Sequence, residues 1–444
     1  MLYRILKAII SFGIRHYYSE IKVVNEHILD KETGPLIIIA NHPNTLMDAW
    51  MVGFANRRRV HFMAKATFFN SPFKRKLLGA LGMIPINRKS DGAVSGVNNK
   101  DSFEACYQLL ERGEILVIFP EGTSFLERKL REIKTGTARI ALEVERRNQG
   151  KLGLKVVPIG LNYISADSYR GKVLVHVGKP IELDDLWKEY EINQANAAKL
   201  LTERFRVELS RVFVNMDDSA REDLVEQLRN LFVTKYTNRT RLGGQADVSN
   251  EMNFMKSVQA RLEEYSLTAP WKLDEIQTET SNVFASLQFL GIKPDFLDRP
   301  YRPVLFLRQF IQSWLFVIVT VPVFLIGFIH HVLPYWLIGW IVPKMTKEVE
   351  YHAPLSILLG LLLYPLNYLG FGLVAHFYLD LTWLETLIYL ALLPLFGTFA
   401  HFYMRYMHHL NSKQRFGRFA RRRSAILQNL REQREQLKDL IFRD

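Results

Sequence analysis

Beyond Pro303 the chain carries three apolar blocks, Phe306 to Val342, Ala353 to Tyr378 and Leu384 to Tyr403. About 20 apolar residues in a helix are enough to cross the hydrocarbon of a bilayer. In lipid a spanning segment must satisfy its own backbone groups, which restricts it to helices or closed barrels. The blocks are therefore read as membrane helices, and residues 301–410 as an all-α membrane region. The first block is long for one crossing, and His330, His331 and Pro334 divide it. A hairpin, or a crossing followed by a short re-entrant piece, is open there, so the count is three or four. Ionisable groups within the crossings are few beyond histidines near their ends, which points to anchoring rather than transport or signalling.

The tail from Asn411 holds ten Lys and Arg against four Asp and Glu, including Arg421, Arg422 and Arg423. An excess of basic residues beside membrane helices marks the cytoplasmic side, which makes residues 411–444 a basic cytoplasmic helical tail and puts the loop around Asp380 and Glu385 outside. A globular domain on the same side as the tail needs an even number of crossings, which favours four with the first block as a hairpin. At the other end, residues 1–20 contain Leu2, Ile5, Leu6, Ile9 and Phe12 on one side of a helix, with Arg4, Lys7 and Arg15 elsewhere. That is the pattern of a helix lying in the membrane interface, with an ordinary packed helix as the alternative; the strongly apolar segments later in the chain favour the first. It is too short to span and lacks a small-residue cleavage site, so it does not read as a signal peptide.

Between these ends, residues 21–215 read as one α/β domain, a mixed sheet flanked by helices. Short Val- and Ile-rich runs predict strands at Pro35 to Ala40, Ile115 to Phe119, Lys155 to Ile159 and Val173 to Val177, and the helical period runs through Asp101 to Arg112 and Thr137 to Asn148. Residues 216–300 read as a charged helical connector with helical patterns at Ser219 to Lys235 and Met252 to Tyr265. The single cysteine, Cys106, excludes an intrachain disulfide and a cysteine metal cluster, and lies in a helical pattern where a core role suits it better than a nucleophile's. The formal charge of +13 asks for an anionic partner. Much of the excess stands beside membrane segments, and no nucleic-acid-binding signature occurs, so a bilayer rather than nucleic acid is expected.

Residues able to do chemistry cluster where strands stop. His42 follows the first strand and Asp48 follows six positions later. A neutral imidazole can take a proton from an alcohol, while a carboxylate on its other nitrogen fixes the tautomer. Residues six apart on one helix point roughly 120° apart, so the pair needs His42 in a loop and Asp48 in the first turn of a helix. A capping aspartate beside an incidental histidine accounts for the same residues. A second cluster, Phe119-Pro-Glu-Gly-Thr-Ser124, is a turn exposing a carboxylate and two hydroxyls. A third, Gly82-Met-Ile-Pro-Ile-Asn-Arg88, and a fourth, Lys134-Thr-Gly-Thr-Ala138, place basic residues near loop ends and a helix start, where a phosphate is well held. No grouping of His, Cys and carboxylates has metal-ligand spacing.

Taken in order, these four blocks together with Val157-Pro-Ile159 and Phe62-Met-Ala-Lys65 resemble the glycerol-3-phosphate and 1-acylglycerol-3-phosphate acyltransferase family over roughly residues 20 to 185. The family's aspartate position falls on Met47, so the match to Asp48 needs one extra residue in the loop, as in a subgroup of the family. Asn44 and Thr45 stand where a serine is common. The resemblance implies that His42, oriented by Asp48, deprotonates an acceptor hydroxyl that attacks an acyl thioester directly, without an acyl-enzyme. It implies that Arg88 and Lys134 hold the acceptor phosphate, and that Glu121, Gly122 and Thr123 position the glycerol. No cofactor is expected beyond acyl-CoA or an acyl carrier protein thioester as co-substrate. The expected partners are the bilayer, the thioester donor and a glycerol 3-phosphate or lysophospholipid acceptor, with both the catalytic domain and the tail cytoplasmic. Two rivals remain: a lysophospholipid acyltransferase or transacylase of phospholipid remodelling, and a non-catalytic membrane scaffold with an acyltransferase-like domain.

Overall fold

The computed structural model describes residues 2–87, 99–164, 166, 168–216, 218–233, 247–298, 301–422 and 424–443. The chain divides into two compact units, Met1–Ser219 with Thr346–Ile357, and Ala220–Met345 with Leu358–Asp444.

The first unit is a seven-stranded mixed sheet flanked by helices. Its strands are β1 (Glu20–Val24), β2 (Leu36–Ala40), β3 (Val60–Lys65), β4 (Met83–Ile86), β5 (Ile115–Ile118), β6 (Lys155–Ile164) and β7 (Lys172–Val177), in the order β1-β7-β6-β2-β5-β3-β4. Every pairing is parallel except β6 with β7. The helices are α1 (Leu2–Tyr17), α2 (Glu26–Lys31), α3 (Thr45–Ala55), α4 (Pro72–Ala80), α5 (Asn99–Glu111), α6 (Gly136–Arg147), α7 (Leu186–Ile192) and α8 (Gln194–Val212). β2 is apolar and buried at all its positions, as a central strand covered on both faces must be. Ile37 and Ile39 of β2 and Leu116 and Ile118 of β5 pack with Cys106, Leu110, Ile140 and Leu201 from α5, α6 and α8 in one core.

Two features of β6 shape the site. Ala40 at the end of β2 pairs with Ile159, so Gly160 to Ile164 overhang the carboxyl edge of the central strands, the edge where α/β sheets bind ligands. At Gly160 a side chain would stand 2.1 Å from the Val212 carbonyl oxygen, so only glycine lets the end of α8 approach that strand.

The second unit is helical: α9 (Ser219–Phe232), α10 (Val248–Thr268), α11 (Pro270–Leu290), α12 (Pro303–Met345), most of α13 (His352–Tyr378), α14 (Trp383–Arg422) and α15 (Ser424–Phe442). The connector helices and the tail join here. Tyr265 Oη donates to the Ile441 carbonyl at 3.1 Å, and Arg434 pairs with Asp298 in a buried contact. Among the described residues three helices are long and apolar enough to cross a membrane, Pro303–Met345, Val349–Tyr378 and Trp383–Arg421. The first block is one continuous helix, so the hairpin does not form. Pro322, Pro334 and Pro343 all lie inside it; each removes a backbone donor, which apolar helices tolerate where neighbours re-satisfy the freed carbonyl. His330 and His331 therefore lie within a helix and not at the ends of two. Their ring nitrogens meet Tyr389 Oη at 2.5 Å and Tyr368 Oη at 2.8 Å.

Candidate active site

Where β2 ends, the side chain of Asn41 takes over its hydrogen-bonding pattern. Nδ2 donates to the Leu161 carbonyl at 3.1 Å and Oδ1 accepts from the Leu161 N–H at 2.7 Å. This locks the chain against the overhang of β6 and delivers His42 to the sheet edge. His42 stands in a loop with its ring stacked on Phe119, centroids 4.0 Å apart and planes 11° apart. Its Nδ1 lies 2.8 Å from Asp48 Oδ2. Nε2 has no protein partner among the described residues.

The turn between them makes the six-residue spacing work. Thr45, the first residue of α3, has φ of +43°, a conformation that costs a β-branched residue energy. The reversal brings the Asp48 carboxylate back over the loop, where Oδ2 also accepts from the Asn44 N–H at 2.6 Å. Thr45 is itself held by its Oγ1, which donates at 3.0 Å to the carbonyl of Glu350, a residue of the same unit. Asp48 Oδ1 accepts from Tyr163 Oη at 2.8 Å, and Asp48 is fully buried. Burial pushes the carboxyl upward, while bonds from His42, Asn44 and Tyr163 pull against that. Burial likewise raises the Tyr163 phenol, so it stays a donor.

Glu121 is 6% exposed. Its Oε1 accepts from the His42 N–H at 3.1 Å and its Oε2 from the Arg131 N–H at 3.2 Å. It thus ties the histidine loop to the segment after the Phe119 turn, and burial raises its carboxyl. Glu121→Gln puts an amide N–H₂ against one of these two donors. The expected loss is about 1–3 kcal/mol of stability, read as a lower melting temperature of the purified protein; an unchanged melt contradicts this bracing role.

Gly122 has φ of +76°, and a Cβ there would meet Lys134 Nζ at 2.6 Å. The exposed Lys134 side chain therefore lies across the glycine, while its backbone N–H holds Pro120 at 3.0 Å. Thr123 is half-buried in the same turn. Arg88 lies outside the described residues. The structure thus brings His42, Asp48, Glu121, Gly122, Thr123 and Lys134 to one edge of the sheet. No group of three potential metal ligands occurs among the described residues. Cys106 is fully buried, and burial pushes its thiol up to about 12, so it is a core residue.

Tyr163 lies beyond the strand predicted at Lys155 to Ile159, and β6 reaches it only because it continues to Ile164. The apolar run Ile159 to Ile164, interrupted only by Asn162, was the available signal.

The acyltransferase family model matches residues 20–162. Glycerol-3-phosphate O-acyltransferase 1 of Saccharomyces cerevisiae is 28% identical over 31% of this chain and 18% of its own length. A 1-acyl-sn-glycerol-3-phosphate acyltransferase of Chlamydomonas reinhardtii is 26% identical over 32% of this chain and 39% of its own. The matched stretch thus spans well under half of either relative. The crystal structure of a 1-acyl-sn-glycerophosphate acyltransferase from Thermotoga maritima aligns with 44% of this chain and 80% of that one, at 20% identity and a TM-score of 0.30. With its long apolar helices the protein is a membrane protein, and its matched domain belongs to the acyltransferase family that includes glycerol-3-phosphate and 1-acylglycerol-3-phosphate acyltransferases.

Proposed function

We propose that the protein transfers a fatty acyl group from a thioester, acyl-CoA or acyl carrier protein, to a hydroxyl of glycerol 3-phosphate or 1-acylglycerol 3-phosphate in phospholipid biosynthesis. The observation that carries this reading is His42, whose Nδ1 meets a buried carboxylate 2.8 Å away within an acyltransferase domain while Nε2 stays open. In that tautomer Nδ1–H donates to Asp48 and Nε2 is the base. Nε2 takes the acceptor's hydroxyl proton as the oxygen bonds to the thioester carbonyl carbon. The tetrahedral adduct collapses with loss of thiolate, which recovers the proton from the imidazolium. No acyl-enzyme forms, and the buried Cys106 plays no part.

Arg88 and Lys134 are assigned to the acceptor phosphate, with Gly122 and Thr123 beside the glycerol and Glu121 fixing the loop that carries His42. Lys134→Gln is expected to raise KM for the phosphorylated acceptor roughly tenfold with little change in kcat, the mark of lost ground-state binding; an unchanged KM removes Lys134 from the phosphate site.

The basic tail is assigned to the cytoplasm by its excess of Lys and Arg; three crossing helices among the described residues, an odd number, remove the parity argument that put the catalytic domain on the same side. α1 lies on the membrane surface, since Leu2, Ile5, Ile9 and Phe12 are exposed while Ile14 and Tyr17 on its inner side are buried. An acyl chain gains roughly 0.8 kcal/mol per buried methylene, so acceptor, product and enzyme belong at the same surface.

The test is kcat/KM for glycerol 3-phosphate, lysophosphatidate and lysophosphatidylcholine with one labelled acyl-CoA. Preference for either of the first two supports the proposal. Preference for lysophosphatidylcholine establishes the remodelling enzyme instead, and transfer only from a phospholipid donor establishes a transacylase.

A further inference from the structure

Within the helical unit a cavity of about 60 Å³ opens where α12 begins against the basic stretch of α14, lined among others by Tyr301, Arg302, Phe306, Gln309, Lys413 and Phe416. That is several times the roughly 10–15 Å³ a single water needs, so a small polar group can enter. Two cations line it and no carboxylate does. Arg302 has no ion-pair partner among the described residues, while Lys413 reaches Gln309 Oε1 at 3.3 Å and lies 5.6 Å from the centre of the Phe306 ring.

The cavity also has an apolar floor. Phe416 is 3% exposed, and its ring lies 6.5 Å from Phe306 and 6.2 Å from Tyr301. Gly417 permits this, because a Cβ there would stand 2.4 Å from Phe306 Cζ.

Its level along the helices selects the ligand. Leu305, Leu307 and Ile311 of α12 are exposed beside the opening, and beyond Arg308 the helix carries no Asp, Glu, Lys or Arg until Lys344. No Asp or Glu occurs between Glu385 and Glu432, a stretch holding Arg405, Lys413, Arg415, Arg418 and Arg421. Cations, rings and an exposed apolar helix meet at the depth of lipid headgroups, and basic pockets between membrane helices suit anionic headgroups. We propose that this cavity binds the phosphate of an anionic phospholipid, with Arg302 and Lys413 on the phosphate oxygens, Phe306 and Phe416 against the glycerol carbons, and the acyl chains along α12.

Native mass spectrometry of the full chain in detergent tests this, with phosphatidylglycerol and phosphatidylcholine competing. The wild type is expected to retain phosphatidylglycerol selectively. Arg302→Gln with Lys413→Gln should weaken that retention roughly tenfold or more, as loss of charge-assisted bonds requires. Arg308→Gln, which removes an exposed charge outside the lining, should not, and millimolar inorganic phosphate should not displace the lipid. Equal retention of both lipids, retention by the double variant, or displacement by inorganic phosphate overturns the proposal. A photoreactive phosphatidylglycerol on the wild type removes any question of the variant's folding. Crosslinks should fall at 301–309 and 413–416, and crosslinks confined elsewhere overturn it.

Discussion

Replacing His42 with alanine is expected to lower kcat for acyl transfer by roughly 10²–10⁴-fold, with KM for the thioester within about threefold of the wild type. The change removes the group assigned to take the hydroxyl proton. It leaves Asp48 with the Asn44 N–H and Tyr163 Oη as donors, so the carboxylate is not orphaned and the fold should survive. Initial rates beside a thermal melt separate the two effects. A folded variant with activity within about fivefold of the wild type is incompatible with a histidine base.

Asp48→Asn should cost a comparable amount, roughly 10²–10⁴-fold in kcat, the upper end being the scale of about 10⁴ seen when the carboxylate of a serine-protease triad becomes an amide. The wild-type carboxylate accepts three hydrogen bonds, from His42, Asn44 and Tyr163, and an amide has only one acceptor oxygen for them. Whichever way it turns, N–H₂ faces a donor, or His42 Nδ1 becomes the acceptor and Nε2 carries the proton and is useless as a base. The buried mismatch should also lower the melting temperature by an amount equivalent to about 1–3 kcal/mol. A variant that melts lower yet keeps wild-type kcat would show that Asp48 holds the fold and does not orient the base.

The histidine and aspartate were legible in sequence because their geometry is local. An apolar strand ending at Ala40, a proline at 43 and a helix starting just before Asp48 leave one way for the two side chains to meet. Glu121 read as a carboxylate exposed on a turn, yet both its oxygens are taken by backbone donors of distant segments, a contact that exists only once the loops are folded together. Tyr163 was hidden for a related reason. A Val-Pro-Ile run marks where β6 begins, but how far the strand outruns β2 depends on the Asn41 side chain pairing with Leu161. In the membrane region the length and apolarity of the blocks identified helices. His330, His331 and Pro334 read as a break in the first block, yet a proline that ends a helix in water need not end one whose surroundings are apolar, and the helix runs through all three.

The most direct measurement is a single turnover of the purified full-length protein with labelled acyl-CoA, with and without acceptor, following acyl product and free thiol together. With glycerol 3-phosphate or lysophosphatidate both are expected to appear one for one, and neither is expected without acceptor or with His42→Ala. Thiol released with label left on the protein in the absence of acceptor would establish an acyl-enzyme and contradict direct attack. A folded protein that acylates no acceptor from either acyl-CoA or acyl carrier protein would contradict the proposed activity itself.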